Sequence, residues 1–306
     1  MNEPEPGVIC FGEILWDFLP RGLFPGGAPH NVAYHLHQLG LHPHLVSAVG
    51  CDLLGNELLR RLRHWGIPLT GLSRHLGLPT GYVTATLGAT GDAQYEITPS
   101  VAWDQIAIEE DTIRATVKAR ALVFGSLAQR STYNRAALDR LLAVLPPEAL
   151  RIFDVNLRPP HDDFPLVMEL ARRATLLKLN TAEAARLTED APGFGREEAQ
   201  ARSLAARTGC ATVCITAGEH GAGILSDGAW YWVASRPTQV RDTVGAGDAF
   251  LAGLICGLLL KHESPPVALA RACRLGEFVA SCDGATPPYA GPLPSAQNRE
   301  PGRTSL

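Results

Sequence analysis

Lysine is scarce: only Lys118, Lys178 and Lys261 occur, and none stands in a Gly-Lys-Ser/Thr string. That removes the P-loop mode of phosphate binding, which needs the motif's lysine on the nucleotide phosphates. The His-Arg-Asp triplet of a protein-kinase catalytic loop is missing as well. No basic run or acidic tail accompanies the formal net charge of −4, and a nucleic-acid surface normally shows a basic patch. The longest strongly apolar stretch, residues 249–260, is about half the ~20 residues of a bilayer span and reads as a buried helix. Residues 1–7 are acidic and Pro-rich, without the basic start or apolar core of a secretion signal. The seven cysteines contain no CxxC pair, and an odd set in apolar segments fits reduced thiols in a cytoplasm rather than a disulfide framework. Cys210 and Cys214 have no second ligand pair for zinc.

What is present is ordinary globular composition, 46% hydrophobic and 19% charged over 306 residues, enough for one large α/β domain or two small ones. Strand-length apolar runs at 8–11, 45–49, 121–124, 151–155, 176–179 and 212–216 alternate with helical patterns at 31–39, 57–65, 133–145, 198–207 and 249–260. Such alternation predicts a parallel sheet covered on both faces. Residues 81–97 instead alternate apolar and polar, with Gly91-Asp92 between the arms, which is a hairpin signal. This antiparallel insertion is expected to act as a lid and to share strands with residues 14–19. The stretch 291–306, rich in Pro, Ser and Arg, is expected to be a loose tail.

Three expected parallel strands run into polar clusters: Asp154-Val155-Asn156-Leu157-Arg158, Asn180-Thr181-Ala182-Glu183 and Thr216-Ala217-Gly218-Glu219-His220-Gly221. Open α/β sheets bind ligands outside the carboxyl ends of their strands, so these clusters point to one shared site. The strongest local motif is Asp242-Thr243-Val244-Gly245-Ala246-Gly247-Asp248, directly before the apolar helix. Its glycines let backbone N–H groups converge at a helix N-terminus, a ready site for a transferring phosphoryl group. Asp248, in the first turn, is placed to accept a proton from an attacking hydroxyl. A capping aspartate after a glycine turn is the plainer account of Gly-x-Gly-Asp alone. A second motif, Gly26-Gly27-Ala28-Pro29-His30-Asn31-Val32-Ala33, permits close backbone approach to a ligand, and Asn31 offers donor and acceptor to a hydroxyl. Asp17, just beyond the first strand, can accept from two sugar hydroxyls or simply cap a turn.

Gly26-Gly27-x-x-x-Asn31-x-Ala33 and Asp242-Thr243-x-Gly245-Ala246-Gly247-Asp248, with Asn180-x-x-Glu183 between them, resemble the signatures of ribokinase-like (pfkB) carbohydrate kinases. Within that family, Gly12-Glu13-Ile14-Leu15-Trp16-Asp17, Val101-Ala102-Trp103-Asp104 and Asp154-Val155-Asn156-Leu157-Arg158-Pro159-Pro160 are similar to bacterial fructokinases. The resemblance implies a three-layer α/β/α fold with a mostly parallel central sheet and a small β-sheet lid. It implies one kinase domain over 1–290, with lid elements at about 13–24 and 78–104. It also implies a cytoplasmic enzyme that transfers the γ-phosphoryl group of ATP to a sugar hydroxyl, with fructose foremost. Aminoimidazole riboside, 2-keto-3-deoxygluconate and ribose are the alternative acceptors, and a catalytically silent sugar-binding scaffold is the alternative of another class.

Residue by residue, the resemblance makes Asp248 the base, with Gly245, Ala246 and Gly247 as anion hole and Arg158 beside the substrate or its incoming phosphate. Asp17, Gly26, Gly27, Asn31 and Tyr95 would hold the sugar. Asn180 and Glu183 would organise Mg²⁺ and the ATP phosphates through water. Thr216, Gly218, Gly221 and Cys273 would line the nucleotide site, Cys273 standing where many relatives have asparagine. Asp242, Val244 and carbonyls within 279–284 would match a K⁺-type site. Pairing of lids would give a homodimer, with no nucleic-acid or membrane partner. His35, His37, His42 and His44 are not read as a metal cluster, since i and i+2 on a helix face different directions. His220 is read as a loop residue that either contacts ATP or faces solvent, and Trp230 and Trp232 as packing on an edge-like strand.

Overall fold

The computed structural model describes residues 7–19, 22–87, 93–191 and 193–289. The strands in chain order are β1 (Val8–Phe11), β2 (Leu15–Leu19), β3 (Gly22–Gly26), β4 (Pro43–Gly50), β5 (Leu72–His75), β6 (Tyr82–Leu87) and β7 (Ala93–Ile97). They continue as β8 (Ala121–Gly125), β9 (Leu150–Asp154), β10 (Leu176–Asn180), β11 (Thr212–Thr216), β12 (Ala222–Ser226) and β13 (Ala229–Val233). The helices are α1 (Ala28–Gln38), α2 (Leu53–Trp65), α3 (Glu110–Thr116), α4 (Thr132–Val144), α5 (Phe164–Arg173), α6 (Thr181–Thr188), α7 (Glu197–Thr208), α8 (Ala246–Ile255) and α9 (Pro265–Ala280).

A nine-stranded sheet runs in the order β13-β12-β11-β10-β9-β8-β1-β4-β5. It is parallel from β11 to β5, while β12 and β13 add antiparallel at one edge. Side chains along each buried strand alternate between two cores. Ile9, Phe11, Leu122, Phe124, Leu177 and Val213 face a core shared with α4, α5, α6 and α7. Val8, Cys10, Ala121, Val123, Leu176 and Cys214 face one shared with α1, α2, α8 and α9. This strand period of two, with both faces covered, makes a three-layer α/β/α sandwich. It also explains the nearly continuous apolar runs that marked the strands in the sequence.

The second sheet has four strands in the order β3-β2-β6-β7. It joins two antiparallel hairpins through a parallel β2–β6 pairing, so the arms of the expected 81–97 hairpin do pair with the strand after β1. The Gly91-Asp92 turn and residues 291–306 lie outside the described residues. Val101-Ala102-Trp103-Asp104 forms the strut beneath this sheet. Arg130 lies 4.0 Å over the Trp103 ring, pairs with Asp104 at 2.7 Å and donates to the Thr98 carbonyl at 2.8 Å. The stretch thus clamps the end of β7 to the main body.

The helix read over 249–260 is α only to Ile255 and continues as a π-helical turn, Cys256–Leu260. A wholly apolar run carries no periodicity that separates the two. All seven cysteines are unbonded, and no helix among the described residues is long and apolar enough to cross a membrane.

Candidate active site

After β1 the chain moves to β4 and β5 on one side, then returns through β8 to build the other side. The switch point therefore lies between β1 and β8, and the crevice at their carboxyl ends is where such sheets bind ligands. A cavity of about 680 Å³ opens there, lined among others by Glu13, Asp17, Gly27, Asn31, Arg158, Lys178 and Asp248. Leu15, Val83 and Ile97 of the small sheet also line it. A second cavity of about 680 Å³ is lined by Gly218, Gly221, Arg236, Cys273 and Glu277, among others. Thr216, Thr243 and Gly247 line both, so the two chambers meet at the N-terminus of α8.

That N-terminus is built by the Asp242–Asp248 string. Gly245 caps the helix at φ 77°, and a Cβ there would lie 2.5 Å from the Ala285 methyl, so both conformation and space demand glycine. Asp242 braces the turn by accepting from Val244 N at 3.0 Å and Gly284 N at 3.3 Å. The Ala246 amide closes the turn on the Thr243 carbonyl at 3.2 Å, while the Gly247 and Asp248 amides have no backbone acceptor among the described residues. Gly245, Gly247 and Asp248 therefore have amides free of backbone acceptors among the described residues, at the positive end of the helix dipole.

Asp248 is buried, and its Oδ2 accepts from Asn31 Nδ2 at 2.8 Å. Burial pushes its pKa up to about 6, Asp154 adding to the rise and Lys178, Asn31 and Arg158 opposing it. Such a carboxylate is ionised at neutral pH yet basic enough to take a proton. Asp17 rises likewise to about 6 through burial, against the pull of Arg158. Gly26 does not line the cavity. A Cβ on it would come within 2.1 Å of the Asp17 carboxylate, so its part is to leave room for that side chain.

Asn180 and Glu183 form a reciprocal capping box on α6. Asn180 Oδ1 accepts from Glu183 N and Glu183 Oε2 from Asn180 N, each at 2.9 Å. The other Glu183 oxygen accepts from Leu157 N at 2.8 Å, fastening the loop that carries Arg158. Asn180 lines the first cavity, whereas Glu183 is buried behind it. The Tyr95 side chain lies outside the described residues.

Three groups escaped the sequence reading. Lys178 Nζ holds both Asp154 oxygens at 3.0 Å, buried beneath Gly247. Burial lowers its pKa, but Asp154, Asp248 and Glu183 together outweigh that and raise it. A lone lysine in the apolar strand Leu-Leu-Lys-Leu-Asn was the available signal. Glu13 is buried at the cavity floor, one oxygen on Ala28 N at 3.1 Å, and burial pushes it up to about 7. His30 is fully buried behind Asn31, its Nδ1 3.0 Å from Asn31 Oδ1. The declined histidines are structural where described: His35 bonds the Ala285 carbonyl and the Tyr289 hydroxyl, and His44 meets Thr112. Trp230 and Trp232 lie on the edge strand β13, as expected. His220 lines the second cavity and stacks on Phe194 with centroids 4.3 Å apart.

This geometry has relatives. Residues 21–290 match the model of the pfkB family carbohydrate kinases. Fructokinase-1 of Zea mays is 28% identical, the match covering 94% of each chain. A fructokinase of Vibrio cholerae O395, solved with fructose, ADP and calcium, superposes with a TM-score of 0.79 at 22% identity, over 92% of this chain and 95% of that one. An aminoimidazole riboside kinase of Salmonella enterica, solved with its riboside and an ATP analogue, gives 0.73 at 21% identity, over 92% and 95%. The chain belongs to the pfkB family of carbohydrate kinases and is a sugar kinase.

Proposed function

We propose that this kinase transfers the γ-phosphoryl group of ATP to a hydroxyl of fructose. The observation that carries the reading is the junction of the two cavities at Gly247, with Asp248 on the sugar side and free amides on the phosphate side. Fructose is favoured over other acceptors by the plant relatives named fructokinase-1, from Zea mays and rice, which align along nearly the whole chain.

In this reading Asp17 and Asn31 orient the sugar and Asp248 accepts the proton of its attacking hydroxyl. The oxygen displaces ADP from the γ-phosphorus in line, and the Gly247 and Asp248 amides, with Arg158, meet the charge on the transferring group. Gly245 and Ala246 complete this turn at the edge of the two cavities. Leu15, Val83 and Ile97 roof the sugar and keep water from competing for the phosphoryl group. Thr216, Gly218, Gly221 and Cys273 line the ATP chamber.

Mg²⁺ is the counter-ion that such phosphoryl transfer uses. No cluster of three acidic, His or Cys residues that could hold a metal occurs among the described residues, and both Glu183 oxygens already accept amide protons. The residues therefore fit a hydrated ion that arrives with the phosphates, with Asn180 facing its waters and Glu183 holding Asn180 and the Arg158 loop in place behind it. Asp242 and Val244 are the proposed surroundings of a K⁺-type ion. Pairing of small sheets is the proposed dimer contact, supported by the exposed Phe18 ring set edge-on to Tyr82. The reduced thiols suit a cytoplasmic enzyme.

ADP release from ATP and Mg²⁺, measured over fructose, ribose, aminoimidazole riboside and 2-keto-3-deoxygluconate, tests the reading. Turnover foremost on fructose supports it. Turnover foremost on another acceptor moves the substrate, and sugar and ATP binding without turnover makes the protein a binding scaffold.

A further inference from the structure

The Asn31–Asp248 hydrogen bond has a direction, and that direction is fixed from behind. An ionised Asp248 only accepts, so the group 2.8 Å from its Oδ2 must be the Asn31 amide nitrogen. Asn31 then turns its carbonyl oxygen to His30 Nδ1, 3.0 Å away, and an oxygen there needs a donor. The His30 ring is fully buried, and its Nε2 has no partner among the described residues. Burial holds the ring neutral, with its pKa pushed down to about 4. A neutral ring carries one N–H, and only the Nδ1–H tautomer completes the chain.

We propose that His30 is a positioning residue for the base: as the Nδ1–H tautomer it pins the Asn31 carboxamide so that its N–H faces Asp248. Without that donor the amide flips freely, and its oxygen then faces the carboxylate and repels it. Asp154 on β9, Lys178 on β10, Arg158 in the loop after β9, Asp17 on β2 and Glu13 just before it also act on Asp248. His30 hydrogen-bonds to Asn31 and to none of these among the described residues, so its influence runs through Asn31. The flanking Pro29 and the Trp65 ring, 6.0 Å away, supply packing but no alternative donor to the Asn31 oxygen. Sequence spacing gives no hint of this, because Asn31 and Asp248 stand 217 residues apart.

The test has two arms, and only the kinetic arm rests on the sugar-kinase reading. In the first, the His30 ring of the wild-type protein is assigned by ¹³C and ¹⁵N NMR against His30→Asn. A neutral Nδ1–H ring is expected, and an Nε2–H or charged ring at pH 7 overturns the proposal even if no sugar is turned over. In the second, His30→Asn, which keeps a donor near the Nδ1 position, is compared with His30→Leu, which keeps bulk but donates nothing. His30→Asn is expected to retain kcat within roughly threefold, whereas His30→Leu loses at least roughly tenfold, the effect of one hydrogen bond to a charged network. The KM for ATP stays unchanged in both, and the acid limb of kcat/KM moves to higher pH only in His30→Leu. Equal losses in the two variants, or none in either, overturn the proposal. Should His30→Leu fail to fold, the tautomer and the retained activity of His30→Asn decide. Absence of turnover in the wild type would refute the function, not the tautomer.

Discussion

Replacing Asp248 by asparagine is expected to cut turnover sharply and to make the protein more stable at neutral pH. The carboxyl ordinarily titrates at 3.8 and is raised to about 6 in the fold. Each pH unit of such a change corresponds to about 1.4 kcal/mol, so ionising Asp248 costs about 3 kcal/mol more in the folded chain than in the unfolded one. The sign follows from proton uptake: between about pH 4 and 6 the folded state binds the proton that the unfolded state has released. This group therefore favours folding most at low pH, and the benefit is lost as pH rises through 6. Asparagine keeps an acceptor for Asn31 Nδ2 but carries no charge beside Asp154. At pH 7 the variant gains up to about 3 kcal/mol, and with m near ~3 kcal/mol per M its urea midpoint moves up by about 1 M. At pH 4 the two midpoints converge, since the wild-type side chain is then neutral in the fold. Equilibrium urea unfolding at pH 7, 5.5 and 4 reads the difference directly. A variant midpoint at or below wild type at pH 7, with the same gap at pH 4, would refute the reasoning.

Turnover by Asp248→Asn is expected to fall by about 10²–10⁴-fold, the usual worth of a positioned base, while sugar binding by calorimetry persists. In the wild type, kcat/KM falls as pH drops through about 6, where Asp248 and Asp17 both take up protons; a profile flat down to pH 4.5 would contradict this. Lys178→Met strands the buried Asp154 carboxylate and destabilises by about 3–5 kcal/mol, whereas Lys178→Met with Asp154→Leu recovers most of it; additive losses in denaturant melts would show the pair is not coupled. Gly245→Ala forces φ 77° on a side chain that meets Ala285, so stability drops by at least about 1 kcal/mol in thermal melts and activity falls with it.

The strands were legible because burial on both faces writes itself as short apolar runs: β1 and β11 begin and end where the sequence placed them. The glycine turn at the head of α8 was legible for a local reason, since its glycines, its brace Asp242 and Asp248 stand within seven consecutive residues of the chain. Glu183 was half legible. Its spacing from Asn180 marked it, but the same spacing serves a capping box, and only the Leu157 contact shows that it also holds the Arg158 loop. Lys178, Glu13 and His30 were not legible, and Asp154 was marked only as part of a strand-end cluster, because each acts on a partner that only the sheet register or helix packing brings near. A single sequence shows which residues are chemically capable; it does not show which of them face one another across strands.

The two sheets divide the labour at the site in a way that bears on specificity. Asp154, Lys178 and Arg158 act on Asp248 from the carboxyl end of the large sheet and its loops, and the small sheet adds one coupled carboxylate, Asp17 on β2. At the large sheet Lys178, Asp154 and the α8 turn are locked by buried hydrogen bonds. Apart from Asp17, the small-sheet residues at the cavity, Leu15, Val83 and Ile97, are apolar and offer shape rather than charge. Apolar walls discriminate weakly, at about 1–3 kcal/mol per methylene, so exchanging them adjusts which acceptor fits without disturbing proton transfer below. On the proposed reading the proton transfer is therefore rigidly specified, while the fit of the acceptor around Asp17 and Asn31 is adjusted at these apolar walls at little cost. Relatives on this fold accordingly include both a fructokinase and an aminoimidazole riboside kinase. Substitutions at Val83 or Ile97 are where acceptor preference should move first.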